Sequence, residues 1–406
     1  MFVLRGVIVS PKIWIAAALI GIAACTSQPA PPAAAPREAA WTPAHEAALV
    51  QALAQAGRHG LDRDDFLPAG ARTHSAADLR RATLAYAGAL ARGRTDPARL
   101  HAHYSIARPA PDLEAGLERA LAAGDLAGWL AGLAPQDAEY RALSEAYIAA
   151  VTQQTPEMAE RARTLAINLE RRRWLERAPA ETRIDVNTAA ATLTYWRGGA
   201  AADSRRVVVG EPGNETPGLA SPLYRLVANP TWTVPRSIEE KEIAPKGEAY
   251  MARENMEWRD GWIVQRSGPR NALGLVKFDL RNDQEIYLHD TPTKALFAEE
   301  DRHASHGCVR VDDALGFAAM IAQDAGVLDQ WRDALATRED GAPGEAFVPL
   351  PRPIPVRLLY QTAFLAGGQV TIVPDSYGWD EDIAEALGLP PRPRRQAARR
   401  ARASGP

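Results

Sequence analysis

The 406-residue chain holds only two cysteines, Cys25 and Cys308, which excludes a disulfide-stapled architecture. Its net charge is −3, so no global positive field exists to attract nucleic acid, and none is expected as a partner. No cluster of His, Cys, Asp or Glu shows metal-ligand spacing, and neither a metal nor another cofactor is expected. Fixed-period repeats are absent, which excludes a solenoid. The apolar run IWIAAALIGIAA is about a dozen residues long, too short to span a bilayer comfortably. What the chain does have is ordinary globular composition, 46% apolar and 24% charged, over a length sufficient for two or three compact units.

Arg5 and Lys12 precede that apolar run, as in a signal peptide. It ends in Ile22-Ala23-Ala24-Cys25, which resembles the lipobox of bacterial lipoproteins. Residues 1–24 are therefore expected to be a signal peptide and Cys25 the lipidated first residue of the mature chain. Pro/Ala-rich residues 25–41 would form an extended tether. No Asp follows Cys25, so the expected place is periplasmic, anchored by lipid at the outer membrane of a Gram-negative bacterium. Acylation of Cys25 would leave Cys308 as the only thiol. A lone thiol in an oxidising compartment is either buried or used.

Two textures follow. Residues 42–178 carry apolar positions at helical spacing and predict an all-helical module, with Pro156 at a helix start. Residues 182–375 are β-branched and alternating, punctuated by Gly and Pro, and predict a mainly β domain. A polar stretch at about 233–262 interrupts them as an inserted flap, one helix follows Asp312-Asp313, and a last strand pair after residue 352 is expected to complete the sheet. The fold class is thus α+β. Residues 376–406 end in PRPRRQAARRARASGP and are expected to be a disordered basic tail.

The chemistry concentrates in Ser305-His306-Gly307-Cys308-Val309-Arg310 and the upstream Tyr287-Leu288-His289-Asp290-Thr291-Pro292. A cysteine attacks as thiolate, and a nearby imidazole is the usual means of making one. His306 stands two residues before Cys308 and His289 nineteen before it. If the two segments are adjacent strands, His289 can face the sulfur directly. The N–H groups of Gly307 and Cys308 could meet a developing oxyanion. Arg310 alternates to the face of Cys308 and suits a substrate carboxylate. Taken singly, each residue has a bland reading as core or surface; their combination carries the signal.

The motif SHGCVR resembles the signature of the L,D-transpeptidases with a YkuD-type catalytic domain. IYLHDTP, the loop GPRNALGLVKF at 268–278, NLERRRWL at 168–175, VVVGEPGNETPGLAS at 207–221 and NPTWTVPRSI at 229–238 resemble the YcbB-like subgroup. The resemblance implies Cys308 as nucleophile and His289 as general base, the latter oriented by the backbone carbonyl of Asp290. It places Ser305, His306 and Gly307 as shapers of the site. Arg310, Asn271 of the 268–278 loop, and Trp258 and Trp262 of the flap become substrate contacts. It implies peptidoglycan stem peptides as partners, donor tetrapeptide and acceptor amine, and 3→3 cross-links through a cysteine thioester. It also implies sensitivity to carbapenems. The chain departs from the subgroup in leaving no room for a peptidoglycan-binding domain between the Tyr147 helix and Asn168. That departure keeps other readings open: 1→3 cross-links to an L-Ala acceptor, L,D-carboxypeptidase or endopeptidase action, or a non-catalytic wall-binding lipoprotein.

Overall fold

A computed structural model describes residues 40–68, 74–153, 155–336 and 344–390. The expected signal peptide, Cys25 and nearly all of the tether lie outside them. Among the described residues no helix is long and apolar enough to cross a membrane.

The N-terminal region is helical because its start signals are met one after another. Ser75 and Asp78 form a capping box at the head of helix Ala76–Arg92, and Thr155 caps helix Pro156–Arg173, whose first residue is a proline. Leucines and alanines of six helices between Pro43 and Arg173 form one cluster. Helix Pro156–Arg173 is buried almost all round. Its Glu170 and Arg173 are fully buried and paired at 2.7 Å, and Glu170 also accepts from the Thr95 N–H and hydroxyl at 2.7 Å. These charges are tolerable inside because each is paired and hydrogen-bonded.

The β domain begins at β1 (Arg183–Asn187) and continues through β2 (Thr192–Arg197), β3 (Ala200–Gly210) and β4 (Leu219–Ala228). After the flap come β8 (Val276–Leu280), β9 (Leu288–His289), β10 (His303–Ser305), β11 (Val309–Val311) and β12 (Ala346–Leu359). Their order is β10-β3-β11-β9-β8-β4-β12-β1-β2, and β2 pairs β3 as well, so the sheet closes on itself. Helix Ala314–Asp324, capped by Asp313, contributes Phe317, Ala318 and Ile321 to its core. The flap is a unit of its own. Strands β5 (Trp232–Thr233), β6 (Met256–Arg259) and β7 (Trp262–Gln265) form a separate small sheet, with a core of Val234, Ile243, Met251, Met256 and Ile263.

Two expectations are corrected. Of the strand pair expected after residue 352, the first stretch does join the main sheet as the end of β12, but strands β13 (Ala363–Ala366) and β14 (Gln369–Ile372) form a separate hairpin. Ala363, Val370 and Ile372 pack into the helical cluster instead, because that is where their apolar face finds cover. Nor does disorder begin at residue 376. Helix Trp379–Leu387 buries Asp380, Ile383 and Ala384 against helix Pro156–Arg173, with Arg171 bonded to Asp380 at 2.5 Å. Residues 391–406, which hold most of the basic tail, lie outside the described residues.

Candidate active site

Strands β9 and β11 are parallel neighbours in which Val309 pairs with Leu288 and Arg310 with His289. Alternation then puts Cys308, Tyr287, Arg310 and His289 on one face. That face opens onto a cleft of about 1190 Å³, which all four line together with Lys277. Gly307 has φ +109°, a conformation that an L side chain rarely adopts, so the turn entering Cys308 needs a glycine. Ser305 closes the turn: its hydroxyl donates to the Cys308 carbonyl at 2.6 Å and accepts the Gly307 N–H at 3.3 Å.

His289 is buried, and its Nδ1–H donates to the Asp290 carbonyl at 2.5 Å, which leaves Nε2 as the free basic nitrogen. The Asp290 carboxylate is spent elsewhere, accepting the Leu275 N–H at 2.9 Å and pairing with Lys294. The Cys308 thiol donates to the Glu285 carbonyl at 3.7 Å. Burial drives both groups to their neutral forms. The thiol is pushed up to about 11 by burial, against the lowering effect of hydrogen bonds from Tyr287. Burial, then the Arg310 charge, brings the imidazole down to about 3. The resting pair is therefore thiol and imidazole rather than an ion pair, so the sulfur becomes a thiolate only if its proton moves away. Arg310 is half-buried, and its Nε has no hydrogen-bond partner among the described residues. A guanidinium held in this way is open to an anionic group.

Several expected roles change. Asn271 is buried and does not line the cleft; its amide donates to the carbonyls of Gln265 and Arg266 at 3.3 and 3.0 Å, and its Oδ1 accepts the Leu273 N–H at 2.8 Å. It shapes the loop, with little bonding capacity left for substrate. Trp258 pairs with Ile263 and Trp262 with Arg259, so the two indoles face opposite sides of the flap sheet, and only Trp262 lines the cleft. The Gly307 N–H turns back onto Ser305 rather than toward an oxyanion, because the tight turn brings that hydroxyl within reach. His306 is exposed and pairs with Glu242 of the flap at 2.6 Å, a position that joins two loops.

Two residues inside the quoted segments had no role assigned from the sequence. Tyr287 lines the cleft beside Cys308 and packs edge-on to His289, with centroids 5.6 Å apart. Lys277 sits 4.3 Å over the Tyr287 ring and pairs in register with His289. Alternation from His289 reaches Tyr287; no local pattern reaches Lys277. Among the described residues no group of His, Cys, Asp and Glu could hold a metal ion.

Residues 181–337 match the model of the L,D-transpeptidase catalytic domain, YkuD, and residues 36–146 match a scaffold domain. A Haemophilus influenzae protein described as a "putative L,D-transpeptidase" is 30% identical over 223 residues, which are 49% of this chain and 45% of that protein. The chain thus spans less than half of that relative's length. An L,D-transpeptidase from Mycobacterium smegmatis shares 14% identity over 44% of this chain and 58% of its own, with a TM-score of 0.25. A mutant L,D-transpeptidase of Enterococcus faecium shares 11% over 44% and 50%, with a TM-score of 0.22. Structural likeness at that level carries no weight. The matched segment contains the strand pair bearing Cys308 and His289, and the chain accordingly carries an L,D-transpeptidase catalytic domain of the YkuD family behind a helical scaffold region.

Proposed function

We propose that this protein is an L,D-transpeptidase that cross-links peptidoglycan stem peptides through a thioester on Cys308. The observation that carries the reading is the single face shared by Cys308, Tyr287, His289 and Arg310 at the cleft. In the first step the Cys308 sulfur attacks the carbonyl of the donor's L-centre residue while its proton passes to His289 Nε2. The tetrahedral intermediate collapses, the bond to the terminal D-residue breaks, and His289 returns the proton to the departing amine. In the second step an acceptor amine attacks the thioester and gives its proton to His289. Cys308 then leaves as thiolate and recovers the proton. Arg310, with Nε unpartnered, suits the donor's carboxylate. Diaminopimelate as the attacked residue makes a 3→3 link the expected product.

Export and lipid anchoring at the outer membrane belong to the same proposal and rest on the apolar run before Cys25. Placement in the YcbB-like subgroup without a peptidoglycan-binding domain rests on the sequence blocks quoted above.

Incubating the purified protein with disaccharide-tetrapeptide and resolving the muropeptides tests the reading. Dimers are expected, and their linkage identifies the acceptor. Tripeptide monomers alone would mean hydrolysis, and an unchanged substrate would overturn an enzymatic role.

A further inference from the structure

We propose that Thr216, held by Tyr377 of the C-terminal segment, is a positioning residue that aims the Cys308 N–H at the oxyanion. The Thr216 hydroxyl donates to the Gly307 carbonyl at 2.8 Å and accepts the Gly210 N–H at 2.9 Å, so its single proton is committed. Thr216 is fully buried, so water does not compete for that bond. In a trans peptide the carbonyl and the N–H point in opposite directions. Pinning the Gly307 carbonyl inward on Thr216 therefore turns the Cys308 N–H of the same peptide the other way. With the Gly307 N–H engaged by Ser305, the Cys308 N–H is the donor left beside the sulfur.

The brace continues outward. The Tyr377 hydroxyl donates to the Gly210 carbonyl at 2.7 Å and accepts the Thr216 N–H at 3.3 Å, which clips the 210–216 loop shut. A Cβ at Gly210 would meet the Asn214 carbonyl at 2.1 Å, so the clip closes only on glycine. The Tyr377 N–H donates to the Tyr360 hydroxyl at 3.0 Å, and that hydroxyl donates to Asp375 at 2.6 Å. The segment beyond residue 375 thereby reaches the nucleophile's peptide through two hydroxyls.

This inference rests on the acyl-transfer reading, and its test separates the two. Oxyanion stabilisation matters when Cys308 attacks a carbonyl and not when it displaces iodide from iodoacetamide. Thr216→Val is expected to slow acylation of Cys308 by p-nitrophenyl acetate, and turnover of the stem peptide, by about 10- to 100-fold in kcat with KM little changed. Its iodoacetamide alkylation should stay near the wild-type rate, and Thr216→Ser should restore acylation. Tyr377→Phe should act in the same direction with a smaller loss, and serves if the valine variant fails to fold. Equal losses in acylation and alkylation, or acylation unchanged in both variants, would overturn the assignment. A wild-type protein that is acylated by the ester but leaves stem peptides untouched would sink the proposed substrate while leaving Thr216 testable.

Discussion

On the side of the cleft that carries the proposed catalytic pair, Cys308 and His289 stand at short paired strands, with the peptides around Cys308 tied down by Ser305 and Thr216 and the His289 ring by the Asp290 carbonyl through largely buried hydrogen bonds. Across the cleft the flap folds around its own five-residue core, and its contact with the Cys308 loop, Glu242 to His306, is exposed. Buried bonds in low dielectric fix geometry strongly, whereas an exposed pair contributes little. The difference teaches that the face bearing Cys308 and His289 is held by the β domain, while the flap supplies surface such as Trp262, which lines the cleft with the Arg236 guanidinium 4.0 Å over its ring. The scaffold region supports the first side. The Ser105 N–H donates to the Gly218 carbonyl at 2.8 Å, and the His103 carbonyl accepts from Gln284, which lines the cleft, at 3.0 Å, so one scaffold segment touches two loops of the β domain.

Breaking the catalytic side should cost most. His289→Ala removes the proposed proton carrier and is expected to lower kcat by about 10²- to 10⁴-fold with the fold intact, read from stem-peptide turnover beside circular dichroism. A variant with full turnover would move the role to His306.

The next effect is in pH. Because the folded thiol titrates at about 11, thiolate is scarce below that value and grows with each unit of rising pH. Alkylation of the resting enzyme by iodoacetamide should therefore climb steadily through the alkaline range. A plateau already reached in the neutral range would mean a preformed thiolate–imidazolium pair, contrary to the environment described.

Breaking the flap contact should do least. His306→Gln or Glu242→Gln removes an exposed pair of at most about 1 kcal/mol, so a change of a few-fold, confined to KM, is expected in steady-state kinetics. A loss in kcat as large as that of His289→Ala would place His306 in the chemistry and erase the contrast between the two sides.

What the sequence disclosed follows the range of the interactions involved. The shared face of Cys308 and His289 was legible because alternation and a short motif are local, and the helical and β textures because periodicity is local. Thr216 stayed hidden because its partner Gly307 is 91 positions away, and Tyr377 because it grips a loop 167 positions back. Asn271 was misread because a conspicuous polar residue in a family-like loop looks the same whether its amide faces substrate or its own backbone. Residues 379–387 were hidden by the basic composition beyond them, although Ile383 and Ala384 form the apolar stripe of a short amphipathic helix.

The central claim is that Cys308 carries the acyl group, and intact-protein mass spectrometry during incubation with the donor tetrapeptide tests it most directly. The wild-type protein should gain the mass of the donor acyl group, mapped to Cys308, and Cys308→Ala should gain nothing. An adduct that persists in Cys308→Ala would contradict the account.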